Sequence, residues 1–126
     1  MLMFMTSIRS GLVSENKFIY EALSRGLEVC VPCGNHLPYD LVVDNGFRMF
    51  KVQVKSTMSG EVAVRKSIQK QGYKMSDFDV LVIYLVPSDE WVIMKNNGLV
   101  RLRFGGNNVK YNKFINNWNL FYEEVH

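Results

Sequence analysis

Apolar and polar residues alternate along two neighbouring stretches of the chain, and this alternation predicts a β-hairpin. The segment "YDLVVDNGFRMFKVQVKS" holds two alternating runs on either side of an Asn-Gly dipeptide, which is typical of tight turns with positive φ. Alternate side chains of a strand point to opposite faces. We therefore expect Val52 and Val54 to point into the core, while Gln53 and Lys55 share the other face.

The N-terminal part of the chain has the spacing of an amphipathic helix. In residues 10–25 apolar side chains recur at intervals of three and four, and Gly26 follows the last apolar turn as a helix terminator. Glu15 interrupts the pattern because it lies on or beside the apolar stripe. A carboxylate there is unfavourable unless it binds a cation or pairs with a base, for which Lys17 and Arg25 are the local candidates.

The rest of the pattern predicts further strands and a closing helix. Residues 28–32 form a short strand, and residues 61–69 fit a strand better than a short helix. The apolar run at 78–87 is typical of a central strand buried on both faces, and "EWVIMK" and "LVRLRF" predict two more. Helical spacing in residues 107–125 predicts a C-terminal helix. Residues 1–126 are thus expected to form one mixed α/β or α+β domain around a central sheet.

Neither the composition nor the N-terminal residues predict a membrane span. A hydrophobic content of 48% and an aromatic content of 13% are ordinary for a folded protein. The N-terminal "MLMFM" is too short to cross a bilayer and lacks the features of a signal peptide. We therefore expect a cytoplasmic protein with no membrane partner, whose first residues cap the core or contact a partner.

Cys30 and Cys33, the only cysteines, have the C-x-x-C spacing. No second Cys/His pair completes a tetrahedral zinc site. Pro32 and Gly34 place the pair at the end of a strand, whereas redox pairs stand at the start of a helix. Two reduced thiols in an intracellular chain are the favoured interpretation, with metal or redox chemistry as the alternative.

The net charge is only +3, but the cations fall into two clusters. The first cluster lies in residues 48–74, where the only acid is Glu61. Two such clusters indicate a polyanionic partner such as nucleic acid, although a solvated surface is the alternative. The first cluster consists of Arg48, Lys51, Lys55, Arg65, Lys66, Lys70 and Lys74, and the second of Arg101, Arg103, Lys110 and Lys113.

The hairpin also gathers side chains suited to phosphodiester hydrolysis. Asp40 starts the first arm, so the turn brings it near Gln53 or Lys55 on the facing arm. Mg²⁺ takes one or two carboxylates together with waters and substrate oxygens; Asp40 can supply one, Gln53 an uncharged amide oxygen, and Glu15 the second carboxylate. The Lys55 ammonium would orient or activate the water and stabilise the charge of the transition state. The alternatives are solvent-facing strand residues and an aspartate that only ends a turn.

An aspartate followed thirteen residues later by Gln-x-Lys resembles the motif of the PD-(D/E)XK nucleases, in which Glu-x-Lys is usual. Residues 26–57 are similar to the bacterial group I intron homing endonucleases of the Q-x-K type, and the likeness runs over most of residues 11–95. The matching positions outside this stretch are Gly11, Glu15, Tyr73, Lys74, Asp77, Phe78 and Asp79.

This resemblance implies a restriction-endonuclease-like core, with a central mixed β-sheet flanked by an N-terminal and a C-terminal helix. It implies that Glu15, Asp40, Gln53 and Lys55 carry catalysis and that the first three hold Mg²⁺, for which Mn²⁺ can substitute. The substrate is expected to be double-stranded DNA, cut at specific sites by a prokaryotic or phage-encoded enzyme.

Cutting both strands needs two copies of a subunit with one site, so a homodimer or homotetramer is expected. The side chains expected to contact DNA are Lys51, Arg65, Lys66, Gln69, Lys70 and Lys74, with His36 beside the phosphate backbone. The alternatives are a Holliday-junction resolvase of the same fold acting on branched DNA, a catalytically inactive DNA-binding module, and a structural protein acting through its apolar N-terminus. Gln53 favours the inactive module because it removes one ligand charge.

Overall fold

The computed structural model describes residues 7–64, 73–98 and 100–123. In this part of the chain, a helix and several short elements surround a central β-sheet. The helix is α1 (Ser7–Ser24). The strands are β1 (Glu28–Cys30), β2 (Leu41–Asp44), β3 (Met49–Thr57), β4 (Glu61–Ala63), β5 (Val80–Leu85), β6 (Glu90–Lys95) and β7 (Arg101–Arg103).

The central sheet is mixed, as predicted, with the strand order β1-β2-β3-β5-β6. Strand β2 pairs antiparallel with both β1 and β3, β3 pairs parallel with β5, and β6 returns antiparallel to β5. A parallel pair requires a crossover connection, and the chain between β3 and β5 includes β4. Strands β4 and β7 pair with each other in a separate two-stranded sheet, which we call the β4–β7 ribbon.

Helix α1 begins at Ser7, three residues earlier than expected, and ends as the sequence predicts. Gly26 has a φ of +83°, a conformation that glycine adopts without strain. This allows the Leu27 amide to donate a hydrogen bond of 3.0 Å to the Ala22 carbonyl, which closes the helix in the usual way. Phe18 and Ala22 are fully buried, so the predicted apolar face does pack on the sheet.

The hairpin forms with the predicted faces but with a wider turn. Asp44 pairs with Met49, so residues 45–48 make a four-residue loop where a two-residue turn was predicted. The Asn45 Oδ1 atom accepts hydrogen bonds from the amides of Phe47 and Arg48 at 2.8 and 2.7 Å. The loop is closed by the Asn45 side chain and by the Asn45 amide, which donates to the Arg48 carbonyl at 3.1 Å. Gly46 has the predicted positive φ, at +92°, but the prediction of a two-residue Asn-Gly turn is wrong.

Helix α1 and the C-terminal segment cover one face of the central sheet. Phe18 stacks on Trp118 at a centroid distance of 5.4 Å and meets Trp91 edge-on at 5.6 Å. Phe121 packs edge-on against Phe50 of β3 at 5.5 Å. Val52 and Val54 are buried on this side, as their alternation predicts.

The β4–β7 ribbon covers the other face. Val62 of β4 and Leu102 of β7 are buried together with Leu81, Ile83 and Met94 of the central sheet. Because both faces are covered, all six residues of β5 are buried, in agreement with the predicted central strand. Residues 61–69 were expected to be a strand; β4 accounts for the first three, and 65–69 lie outside the described residues.

The predicted C-terminal helix is replaced by two short 3-10 helices, at Asn112–Phe114 and Trp118–Tyr122. Between them Ile115 forms a β-bridge with Val92, and Asn116 has a φ of +53°, which interrupts any helix. The aromatic side chains of this segment still face the sheet, which explains why their spacing in the sequence resembles that of a helix.

The C-terminal segment is also tied to the hairpin and to α1. Asn45 Nδ2 donates hydrogen bonds to the carbonyls of Phe121 and Glu123 at 2.8 and 3.2 Å. The Tyr122 hydroxyl donates to the Arg25 carbonyl at 2.7 Å. Among the described residues, none of the helices combines the length and the apolar character needed to span a bilayer.

Gly60 makes a closer approach to the ribbon than any other residue type could, and its replacement by alanine is expected to destabilise the fold by about 2–4 kcal/mol. It has a φ of +92°, and an added Cβ would lie 2.3 Å from the Phe104 carbonyl oxygen. Chemical denaturation measures this loss. The control is Gly11→Ala: Gly11 lies in α1 with open space around its Cα, so alanine should stabilise the helix by about 1 kcal/mol. Equal stability of the two variants would contradict the close approach at Gly60.

Candidate functional site

Asp40 and Gln53 face each other where the hairpin strands begin to pair. Asp40 stands one residue before β2, and its Oδ2 atom accepts hydrogen bonds of 2.8 Å from Gln53 Nε2 and from the Val54 amide. The Asp40 amide donates to the Val52 carbonyl at 2.9 Å. The carboxylate is thus fixed by β3 through both a side chain and the backbone.

Gln53 is buried, with 6% of its surface exposed. Because its Nε2 atom donates to Asp40, the carbonyl oxygen is the atom of the amide that remains to bind a cation. An amide oxygen supplies a ligand atom without charge. Any charge needed to hold a cation must therefore come from the neighbouring carboxylates.

Lys55 projects from the same face of β3 as Gln53, two residues further along. Burial lowers the pKa of the Lys55 ammonium, and the negative charge of Asp40 partly opposes this shift. Its Nζ atom lies 5.8 Å from the centre of the Tyr73 ring. The ammonium is thus held in a half-buried position between an aromatic face and a carboxylate.

Glu15 reaches this cluster from α1. Burial raises the pKa of Glu15, and the charge of Asp40 raises it further, so the two acids lie within electrostatic reach of each other. The cations that could have paired with Glu15 bind other acids instead. Lys17 lies 3.8 Å from Asp89, and Arg25 lies 3.7 Å from Glu21.

Asp40 is subject to opposing influences. Burial raises the pKa of Asp40, while the hydrogen bond from the Val54 amide and the charge of Lys55 lower it. The net shift is upward. The half-buried carboxylate is therefore less stabilised in its ionised form than an exposed one, as is typical of a group whose counter-charge comes from a ligand.

Tyr73 is a member of the cluster that we did not single out as a site residue. Its ring packs edge-on against Phe78 at 5.1 Å, and burial raises the pKa of its hydroxyl, with further contributions from Asp40 and Asp77. The crossover between β3 and β5 brings it beside Lys55. The only signal in the sequence was its place in the Tyr73-Lys74 match to the homing endonucleases.

The side chains expected to contact DNA have different environments. Lys51 donates from Nζ to the Ser76 carbonyl at 2.8 Å, so its ammonium already has a partner within the chain. Lys74 is exposed. His36 is also exposed, in the loop before Asp40, and lies so close to Gly34 that a Cβ there would be 2.7 Å from its Nδ1 atom. Arg65, Lys66, Gln69 and Lys70 lie outside the described residues.

The donor set of the cluster suits a hard divalent cation. Glu15 and Asp40 offer carboxylates and Gln53 an amide oxygen, which are the ligand types that Mg²⁺ prefers. In the described ranges no group of three or more His, Cys, Asp or Glu residues is placed to hold a metal ion. A cation bound here would therefore use the amide oxygen as well as the two acids. Cys30 and Cys33 are free and exposed.

Comparison with protein families gives a match over nearly the whole chain. The model of a family described as PD-(D/E)XK endonuclease matches residues 5–122. No curated protein sequence is significantly similar to the chain.

Two solved structures illustrate how widely the fold is shared. The bacterial homing endonuclease I-Ssp6803I superposes with a TM-score of 0.78 at 23% identity, over 87% of this chain and 88% of that one. The Holliday junction resolvase Hjc of the archaeal hyperthermophile Archaeoglobus fulgidus superposes with a TM-score of 0.64 at 12% identity, over 93% and 99%. At these identities the superpositions establish a common fold.

Proposed function

Because the chain belongs to the PD-(D/E)XK endonuclease family, we propose that it is a divalent-metal-dependent enzyme that hydrolyses phosphodiester bonds of double-stranded DNA at specific sites. The observation that carries this proposal is the Asp40 carboxylate, held by Gln53 at 2.8 Å and flanked by Lys55 and Glu15. We further propose that residues 1–126 act as one domain.

Glu15, Asp40 and Gln53 would hold the cation, which is Mg²⁺ in this proposal and replaceable by Mn²⁺. When bound, such an ion polarises the phosphoryl oxygens and lowers the pKa of a bound water. The protein's own contribution is positional: the hydrogen bonds from Val54 and Gln53 fix the Asp40 carboxylate before substrate arrives.

Lys55 would act on the phosphate and on the attacking water. Its ammonium stabilises the negative charge that develops on the phosphoryl oxygens. Because burial lowers the pKa of Lys55, a larger fraction of its side chain than for an ordinary lysine is the neutral amine, which can accept a proton from the water. The Tyr73 ring lies within cation–π range of the ammonium, at 5.8 Å, and would help to orient it.

Since each subunit has one such cluster, cutting both strands requires two subunits, as a homodimer or a homotetramer. The similarity to the bacterial homing endonuclease supports cleavage of an intact duplex. The similarity to the Holliday junction resolvase supports a second candidate, cleavage of a four-way junction. Gln53 supports a third, a DNA-binding module without activity, because it lowers the ligand charge by one.

Purified protein with Mg²⁺ or Mn²⁺ is expected to cut DNA, and removal of the ion with a chelator is expected to stop the reaction. The substrates are a library of duplex sequences and a synthetic four-way junction, with cleavage followed on gels. The Asp40→Ala variant, whose folding is verified by circular dichroism, serves as the inactive control. Cleavage of the junction alone would favour the resolvase. Failure to cut any of these substrates would contradict the enzyme proposal.

A further inference from the structure

Two arginine side chains of the β4–β7 ribbon point away from the central sheet. Arg101 and Arg103 of β7 are exposed, whereas Leu102 and Phe104 are buried against the central sheet. This alternation follows from the two-residue period of a strand. The two guanidinium groups therefore project from the same outer surface of the ribbon, about 7 Å apart along the strand.

The surface is deficient in acids. Residues 91–122 contain no Asp or Glu. On the facing strand, Glu61 lies opposite Arg103 and contacts it at 3.7 Å, but the residue opposite Arg101 is Ala63. A surface that only keeps a protein in solution usually mixes charges of both signs. This one is predominantly positive.

The segment after β7 carries two further exposed lysines. Tyr111 packs on the buried Phe104 at a centroid distance of 5.4 Å, which holds the segment against the end of the ribbon. Lys110 and Lys113 are exposed and lie over the rings of Tyr111 and Phe114 at 5.4 and 5.2 Å. We call the outer surface of the ribbon that carries Arg101 and Arg103 the basic ribbon face.

The ribbon is attached directly to the strand that carries the catalytic candidates. Residues 58–60 join β3 to β4, and the Thr57 hydroxyl fixes this turn by accepting from the Gly60 amide at 3.0 Å and donating to the Glu61 carbonyl at 2.8 Å.

The ribbon also lies on the side of the sheet from which Gln53 and Lys55 project. These two residues pair with Leu81 and Ile83, which are buried in the cluster that the ribbon covers. A long polyanion bound at Lys55 can therefore extend alongside the ribbon.

We infer that the basic ribbon face binds the phosphate backbone of the double-stranded DNA held at the Asp40–Lys55 cluster. Arginine suits this role because its planar guanidinium binds phosphate through two hydrogen bonds. The inference rests on the proposed function for the identity of the ligand. It adds a binding element distant in sequence from the contacts expected at residues 65–74.

The test is the binding of duplex DNA, without divalent metal, by the double variant Arg101→Ala/Arg103→Ala. We expect its dissociation constant to be about tenfold higher or more at moderate salt, and the slope of log affinity against log salt to fall by about 2. The matched control is Arg9→Ala/Lys17→Ala, which removes the same charge from α1, on the opposite face of the sheet. It should bind nearly as the wild type does. Fluorescence anisotropy measures both, and circular dichroism verifies folding.

A third variant, Ala63→Glu, places an acid opposite Arg101 at an exposed position and should also weaken binding. Unchanged binding by the Arg101/Arg103 variant, or an equal loss in the α1 control, would overturn the inference. In either case, cleavage by the wild type would still uphold the proposed function. A wild type that neither binds nor cuts DNA would overturn both.

Discussion

Replacement of Lys55 by methionine is expected to lower the rate of DNA cleavage about a thousandfold, because it removes the cation aimed at the developing charge of the transition state. Methionine keeps the length of the side chain, so packing beside Tyr73 is retained. Single-turnover cleavage at saturating DNA measures the chemical step. Lys95→Ala is the control for charge, since Lys95 is an exposed lysine that pairs with Glu123 at 3.6 Å. This variant should cleave DNA at the normal rate.

The Lys55→Met variant should be more stable than the wild type. Burial lowers the pKa of Lys55 in the folded protein, so the unfolded chain binds the proton more tightly. The wild type therefore gains stability as the pH rises through the pKa of Lys55, and at neutral pH the charged side chain disfavours folding. Methionine removes this penalty. A variant that loses both activity and stability would indicate a structural role for Lys55 and contradict the catalytic one.

Asp40→Asn is expected to abolish the stabilisation of the protein by Mn²⁺. When the free concentration of the ion is about a hundred times its dissociation constant, binding stabilises the wild type by about 2.7 kcal/mol. A thermal melt detects a change of this size readily. Asparagine keeps the size of the side chain but removes the charge that binds the ion. Asp44→Asn is the control, because Asp44 ends the strand that Asp40 precedes and accepts a hydrogen bond from the Gly46 amide that asparagine can also accept.

The stability of the metal-free protein and the extra stability given by Mn²⁺ should change in opposite directions as the pH rises. The pKa values of Glu15 and Asp40 are raised by burial, so the metal-free folded protein binds protons more tightly than the unfolded chain. Its stability from these groups therefore falls as the pH rises from the ordinary carboxylate range through their raised pKa values. Mn²⁺ needs the ionised acids, so its stabilising effect grows over the same range. Equal melts for wild type and Asp40→Asn with Mn²⁺ would favour the inactive DNA-binding module.

The contacts around Asp40 could be predicted because the hairpin is local. Two alternating runs joined by a short loop determine which residues face each other, and Asp40 does lie opposite Gln53 even though the loop is wider than predicted. The resemblance to PD-(D/E)XK nucleases rested on the same residues and is confirmed by the family match. The buried strand β5 could also be predicted from the sequence, since a continuous apolar run of this length has few other interpretations.

Contacts between distant parts of the chain could not be predicted in this way. The pairing of β4 with β7 joins Glu61 to Arg103, and alternation identifies a strand without identifying its partner. Tyr73 reaches Lys55 only through the crossover, for the same reason. In the C-terminal segment, helical spacing was misleading because Ile115 is bound to Val92 and Asn116 adopts a positive φ.

The hydrogen bonds of the C-terminal segment have a consequence for the two acids. Asn45 anchors the loop that follows β2, and Tyr122 anchors the end of α1, to the same few residues of the chain. Glu15 lies on α1, and Asp40 stands at the other end of β2, one residue before that strand begins. The C-terminal segment therefore links the helix that carries one acid to the strand that begins beside the other, and helps to keep helix and hairpin in a fixed relation.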